Sequence, residues 1–163
     1  MTYPPAQFHD STGAVNAQFR GSDVGPDLSM QVGVDVSFVL TSAETNGEFG
    51  LYRWDTGEQP VEAFPHFHRG MSETFFVLSG IVTLHDGTGA REAGPGDSLF
   101  VPKGGIHGFR NSHGPASMLI LFTPGAPREA YFRALADRID GRVTYTTEEW
   151  AALCAECDQF AVS

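Results

Sequence analysis

The sequence predicts an all-β domain, an antiparallel sandwich or jelly-roll barrel with one or two helices at its C-terminal end. Three observations predict it. Between about residues 34 and 123, apolar side chains recur with the period of two that places alternate residues on one face of a strand. Glycine (19 residues) and proline (10 residues) are spread along the 163-residue chain, where they punctuate short segments. Helical periodicity enters only after about residue 125, so strands and helices are not interleaved as a parallel α/β sheet requires.

Residues 1–30 are polar and interrupted by Gly21, Gly25 and Pro26, and read as an extended arm that packs on the domain or on a partner subunit. Val34, Val36, Phe38 and Leu40 alternate with Asp35, Ser37, Val39 and Thr41 as a strand does. The Asn46-Gly47 turn signal precedes a second strand over Phe49–Trp54. Further strands are expected near 64–68, 73–79, 81–85, 97–101, 106–111 and 116–123, so that the β-barrel spans 31–125. In 126–139, Phe132, Leu135, Ala136 and Ile139 fall at i, i+3, i+4 and i+7, one face of a helix. Thr146-Thr147-Glu148-Glu149 is a capping box opening a second helix, whose apolar face is Trp150, Leu153, Cys154 and Cys157. The segment 126–163 is therefore read as helices packed on the outside of the barrel.

The net charge of −10 is carried by the flanks: nine acids against two bases in 1–63, seven against four in 125–163, and four against four in the middle. An acidic chain repels phosphate backbones and anionic membrane surfaces, so neither nucleic acid nor membrane is an expected partner. The neutral middle is where a site is to be sought. The N-terminus lacks the basic and apolar regions of a signal peptide. No apolar run approaches the roughly 20 residues that span a bilayer. The two cysteines suit a reducing compartment without forming a disulfide. A cytoplasmic protein is expected.

The segment Pro65-His66-Phe67-His68-Arg69-Gly70-Met71-Ser72-Glu73 is the most informative. Residues two apart on a strand share a face, so His66 and His68 point at one spot. Glu73 lies at an odd offset from His68, and Arg69–Ser72 reads as a turn that resets the register and returns Glu73 on the neighbouring strand. Two imidazoles and a carboxylate meeting inside a barrel form a ligand set for a first-row divalent metal. Further on, a short strand ends at Pro102, Gly104-Gly105 turns the chain, and His107 opens another strand that can carry a third imidazole across the barrel.

These two segments resemble the two motifs of the cupin superfamily, the first in His66, His68, Glu73 and Gly80, the second in Gly96, Pro102, Gly104, His107 and Asn111. The spacer 81–95 is short, as in compact single-domain cupins, and the flanking strands extend the likeness to about 34–123. One position departs: Pro60 stands where the family usually has a glycine, six residues before the first histidine. The run Phe75-Phe76-Val77-Leu78-Ser79-Gly80, with Leu121-Phe122-Thr123-Pro124-Gly125 and a helix after it, is similar to quercetin 2,3-dioxygenase-like cupins.

The resemblance implies a jelly-roll barrel holding one divalent transition-metal ion through His66, His68, Glu73 and His107, beside an apolar pocket. It leaves iron, nickel, manganese, copper, cobalt and zinc all open. The function it implies first is a dioxygenase acting on an enol- or phenol-bearing small molecule, with Glu73 as ligand or general base. A non-redox cyclase, isomerase or lyase, with Glu73 or His107 moving a proton, is the first alternative. A non-catalytic small-molecule binding module is the second. A homodimer is expected from the same resemblance.

The remaining features have plainer readings. His9, His85 and His113 read as surface or internally satisfied histidines. Cys154-Ala155-Glu156-Cys157 reads as part of a helix face, because buried thiols behave as small hydrophobes and no second pair completes a zinc site. Phe49, Phe75 and Phe109 are candidates for the cavity wall or simply core, and Arg53 and Arg110 for surface solvation or an anionic substrate group.

Overall fold

The computed structural model describes residues 2–111 and 113–162. In chain order its elements are β1 (Leu28–Met30), β2 (Val34–Leu40), β3 (Gly50–Thr56), β4 (Val61–Phe67), β5 (Ser72–Ser79), β6 (Val82–His85), β7 (Ala90–Ala93), β8 (Ser98–Val101), β9 (His107–Asn111), β10 (Ala116–Thr123), α1 (Arg128–Ile139), α2 (Thr147–Glu156) and β11 (Phe160–Ala161). The strands form two sheets, ordered β1-β2-β3-β10-β5-β8 and β11-β4-β9-β6-β7. Each neighbouring pair is antiparallel. The sheets face each other, and among the described residues no ladder closes them into one continuous barrel, which is the jelly-roll arrangement expected from the sequence.

The core lies between the sheets and follows from the strand period. Val34, Val36 and Phe38 of β2, Tyr52 and Trp54 of β3, Phe75 and Val77 of β5, and Met118, Ile120 and Phe122 of β10 are all buried. They meet Val82 and Leu84 of β6 and Phe109 of β9. Each large apolar side chain removed from water stabilises the fold by about 1.5–3 kcal/mol.

Three strands were not anticipated. β1 falls inside the segment read as an arm, residues 2–27 of which form neither helix nor strand. β7 and β11 lie where no strand was expected. The strand pattern of β4 also breaks: its pairing with β9 shifts register between Ala63 and His66. Gly108 permits this, because a Cβ there would lie 2.5 Å from the Ala63 carbonyl oxygen. The bulge reverses which residues face inward, so His66 is buried while Phe64 is exposed. Gly80 is required for a similar reason: its φ is 72° and a Cβ would meet the Pro115 oxygen at 2.3 Å.

α1 begins two residues later than the predicted 126 and lies on Tyr52, Trp54 and Phe122 through Phe132. Its buried face is Arg128, Tyr131, Phe132 and Ala136; Ile139, assigned to the apolar face from the sequence, is exposed in the last turn. The capping box of α2 forms as predicted, Glu149 N donating to Thr146 Oγ1 at 3.1 Å and Thr146 N to Glu149 Oε2 at 2.8 Å. α2 buries no residue fully. It leans on α1, with Trp150 6.0 Å from the Tyr131 ring and the Arg138 guanidinium 4.3 Å over Trp150. No helix among the described residues is long and apolar enough to cross a membrane.

Candidate metal centre

The four residues singled out by spacing converge. One donor atom from each of His66, His68, Glu73 and His107 lies within 4.8 Å of the others, and all four side chains are buried. The route differs from the sequence expectation in two respects. Glu73 stands on β5, in the opposite sheet from β4 and not on its neighbour, so it reaches His66 and His68 across the interior. His107 does not come from across the barrel: β9 is the hydrogen-bonded neighbour of β4, and His66 and His107 are register partners with ring centroids 4.3 Å apart. The β4 bulge is what brings these two imidazoles inward together.

Each imidazole is oriented by a carbonyl. His66 Nδ1 lies 2.8 Å from the Phe64 oxygen and His107 Nδ1 lies 3.0 Å from the Gly105 oxygen. His68 Nδ1 lies 2.5 Å from the carbonyl oxygen of Asp158. A carbonyl only accepts, so each Nδ1 carries a hydrogen, and each Nε2 is directed to the centre. The backbone of His68 is pinned as well, its own carbonyl accepting from Gly104 N at 2.6 Å.

Glu73 Oε2 lies 2.7 Å from His107 Nε2 and 3.0 Å from His68 Nε2. Burial pushes the Glu73 carboxyl up, yet the His107 and His68 hydrogen bonds overcome it and hold the group well below the usual carboxylate range. Burial pulls His107 down, and its contact with Glu73 more than reverses that, leaving it above the ordinary histidine value. His66 is lowered to about 4, by burial first and then by the charge of His107, so it is neutral at pH 7. The buried carboxylate and the Nε2 atoms of the three imidazoles thus meet around one point, which a dication can occupy.

The donors suit such an ion in kind: imidazole nitrogens and a carboxylate oxygen bind divalent metals at about 2.0–2.2 Å. Here all four donor atoms lie within 4.8 Å of one another, Glu73 Oε2 being 2.7 and 3.0 Å from His107 and His68 Nε2. The wall around them is aromatic: Phe75 is 5.8 Å from the His107 ring and Phe122 is 6.0 Å from that of His68. Phe109 packs on Phe75 and Trp54. Phe49 is instead half-buried in the β2–β3 connection. Phe132 of α1 packs behind Phe122, with ring centroids 6.4 Å apart. Two surface clefts, of about 170 and 440 Å³, are lined by residues other than the four.

The other sequence candidates lie apart. His9 is exposed, His85 Nδ1 accepts from Gly87 N at 3.1 Å, and His113 is 2.7 Å from Glu92 on the surface. Arg53 pairs with Asp55 in solvent, and Arg110 lines the smaller cleft. Cys154 and Cys157 are free, half-buried thiols that burial pushes up, hence poor thiolates at neutral pH. Replacing both with serine is expected to leave metal content unchanged and to cost about 1 kcal/mol of stability. Elemental analysis beside thermal unfolding checks this, and a large fall in metal content with the fold retained would contradict it.

Sequence reasoning missed the C-terminal contribution. Asp158, on the turn between α2 and β11, supplies the carbonyl for His68. Arg128, a charged residue within a helix, is buried under the centre with its guanidinium 4.3 Å over Tyr131 and 5.1 Å over Phe122. No periodicity signals either.

The two-sheet fold and its buried His-His-Glu-His cluster define a protein of the cupin type. Residues 51–122 match the family described as the cupin domain, and this match, with the relatives and the solved structure that follow, supports a small protein of the cupin superfamily. It is 29% identical over 105 residues, 64% of its length, to quercetin 2,3-dioxygenase of Bacillus subtilis. It is 35% identical over 60 residues, 37% of its length, to an uncharacterized protein of Aquifex aeolicus. The matched stretches span 31% and 50% of those two relatives. Among solved structures, an RmlC-like cupin from Shewanella frigidimarina shares the fold with a TM-score of 0.59 at 20% identity, covering 71% of this chain and 96% of that one.

Proposed function

We propose that the protein is a metal-dependent enzyme, a dioxygenase acting on an enol- or phenol-bearing small molecule. The observation that carries this reading is the buried cluster of His66, His68, Glu73 and His107, whose donors converge within 4.8 Å inside an aromatic wall. Its direction comes from the 29% identity with quercetin 2,3-dioxygenase, of which the match spans only 31%.

The three imidazoles and the carboxylate would hold one divalent ion. When bound, that ion supplies Lewis acidity and, where redox-active, a centre for dioxygen chemistry. The chain's own residues do the rest. Glu73, held ionised, accepts the proton of an enol or phenol hydroxyl brought beside it. His107, when detached from the ion, would be the second group able to hold or return that proton, through the 2.7 Å contact of its Nε2 with Glu73. Phe75, Phe109, Phe122 and Phe132 exclude water and offer ring faces to a planar substrate. Elemental analysis of protein purified without chelator, with oxygen uptake on a panel of enols and phenols, tests the reading. Metal-free protein, or metal without substrate-dependent uptake across the panel, counts against it.

A non-redox cyclase, isomerase or lyase is the second reading, favoured by the donor set itself: nitrogen and carboxylate ligands hold zinc as readily as iron. The carboxylate–imidazole pair of Glu73 and His107 would then move a proton on a polarised carbonyl.

The protein is also proposed to be a homodimer. The outer face of the first sheet exposes Phe76, Leu78 and Phe100, and the arm exposes Tyr3, Val15 and Phe19. Apolar groups of this extent in one small chain favour association with a second copy. Light scattering at micromolar concentration is expected to give about twice the chain mass of 17.6 kDa; a monomer mass would remove the dimer.

A further inference from the structure

We propose that Asp158 is a positioning residue of the metal centre, and that the C-terminal tail completes the site by fixing His68; this rests on the metal reading above. The asymmetry among the three imidazoles points to it. His66 and His107 take their orienting carbonyls from residues two positions earlier, Phe64 and Gly105, so their own strands set them. His68 takes its carbonyl from Asp158, ninety positions away, outside the matched domain 51–122.

Asp158 is built for the task. Its carboxylate accepts from both amides of the turn that follows His68, Arg69 N at 2.9 Å on Oδ1 and Gly70 N at 2.7 Å on Oδ2. One residue therefore holds the imidazole through its main chain and the loop between His68 and Glu73 through its side chain. Its φ of 57° places it in the left-handed region, which Asp tolerates better than most side chains. The tail around it is anchored on both sides. Arg128 donates to the Cys157 carbonyl and to Gln159 Oε1, both at 2.7 Å, and Gln159 Nε2 donates to the Tyr131 hydroxyl at 2.7 Å. β11 then pairs with β4 at Phe160↔Phe67 and Ala161↔His66. The buried guanidinium of Arg128 thereby acquires a purpose: it fastens the tail that orients His68.

The test measures cobalt(II) affinity by chelator competition in the full chain, below the unfolding range of each variant. Asp158→Gly keeps the carbonyl and tolerates the left-handed backbone but removes the carboxylate. It is expected to weaken cobalt binding by roughly tenfold to a hundredfold, as losses of outer-shell partners do. Asp158→Asn keeps one acceptor and the backbone preference, and is expected to recover most of the loss. Phe160→Ala weakens the same tail through its stack on Phe67, 5.4 Å away, while leaving Asp158 in place; it is expected to shift affinity by less than about threefold. The visible spectrum of the cobalt form should change in Asp158→Gly and not in Phe160→Ala. A loss below tenfold in Asp158→Gly, or an equal loss in Phe160→Ala, overturns the positioning role. Failure of the unaltered protein to bind cobalt overturns the ligand assignment, and this inference with it, and is recognised before any substitution is made.

Discussion

His107→Ala is expected to lower the metal content of protein purified without chelator from about one ion per chain to less than about a tenth of that. His107 is fully buried, is the register partner of His66 and makes the shorter of the two contacts with Glu73. Its removal takes away one imidazole and also leaves the buried Glu73 carboxylate with one hydrogen-bond donor fewer, a cost of about 1–3 kcal/mol on top of the cavity. His107→Gln, which fills most of the space and keeps a donor, separates loss of metal from loss of fold. His66→Ala should show the same loss of metal without depriving Glu73 of a donor. His85→Ala and His113→Ala remove imidazoles that lie outside the cluster and should retain about one ion. Equal metal content in all four alanine variants would overturn the ligand assignment.

What the sequence reveals and conceals here follows from how local each determinant is. β2 and β3 were legible because their inward residues, Val34, Val36, Phe38, Tyr52 and Trp54, recur at every second position within each strand. β7, Ala90-Arg91-Glu92-Ala93, carries no β-branched or aromatic residue and buries only Ala93; it is a strand because β6 offers it a ladder. β11 is two residues long and exists by pairing with β4. The donors were legible as residues because their spacing is fixed by short local turns. Their routes to the centre were not, since the bulge of β4 depends on the missing Cβ of Gly108 in another strand. Arg128 was unreadable for a different reason. A guanidinium at the first position of a helix that carries two further arginines gives no sign that aromatic faces and the tail carbonyl of Cys157 await it.

Glu73→Gln is expected to reduce turnover by about 10²–10⁴-fold, the usual worth of a positioned acid–base group, while metal content falls much less. The side chain keeps its size and one carbonyl oxygen, so His68 and His107 retain an acceptor, but the proton acceptor is gone. Parallel losses of turnover and metal would instead make Glu73 a ligand alone. The reaction class is decided by the ion that supports turnover. An oxygenase needs a redox-active metal, so substrate-dependent oxygen uptake should appear with iron, copper, manganese, nickel or cobalt and vanish with zinc. A cyclase, isomerase or lyase requires only that a carbonyl be polarised while Glu73 and His107 move a proton, which zinc permits without oxygen. If zinc-loaded protein converts its substrate under anaerobic conditions, the oxygenase reading is removed, and the same four residues become the machinery of proton transfer.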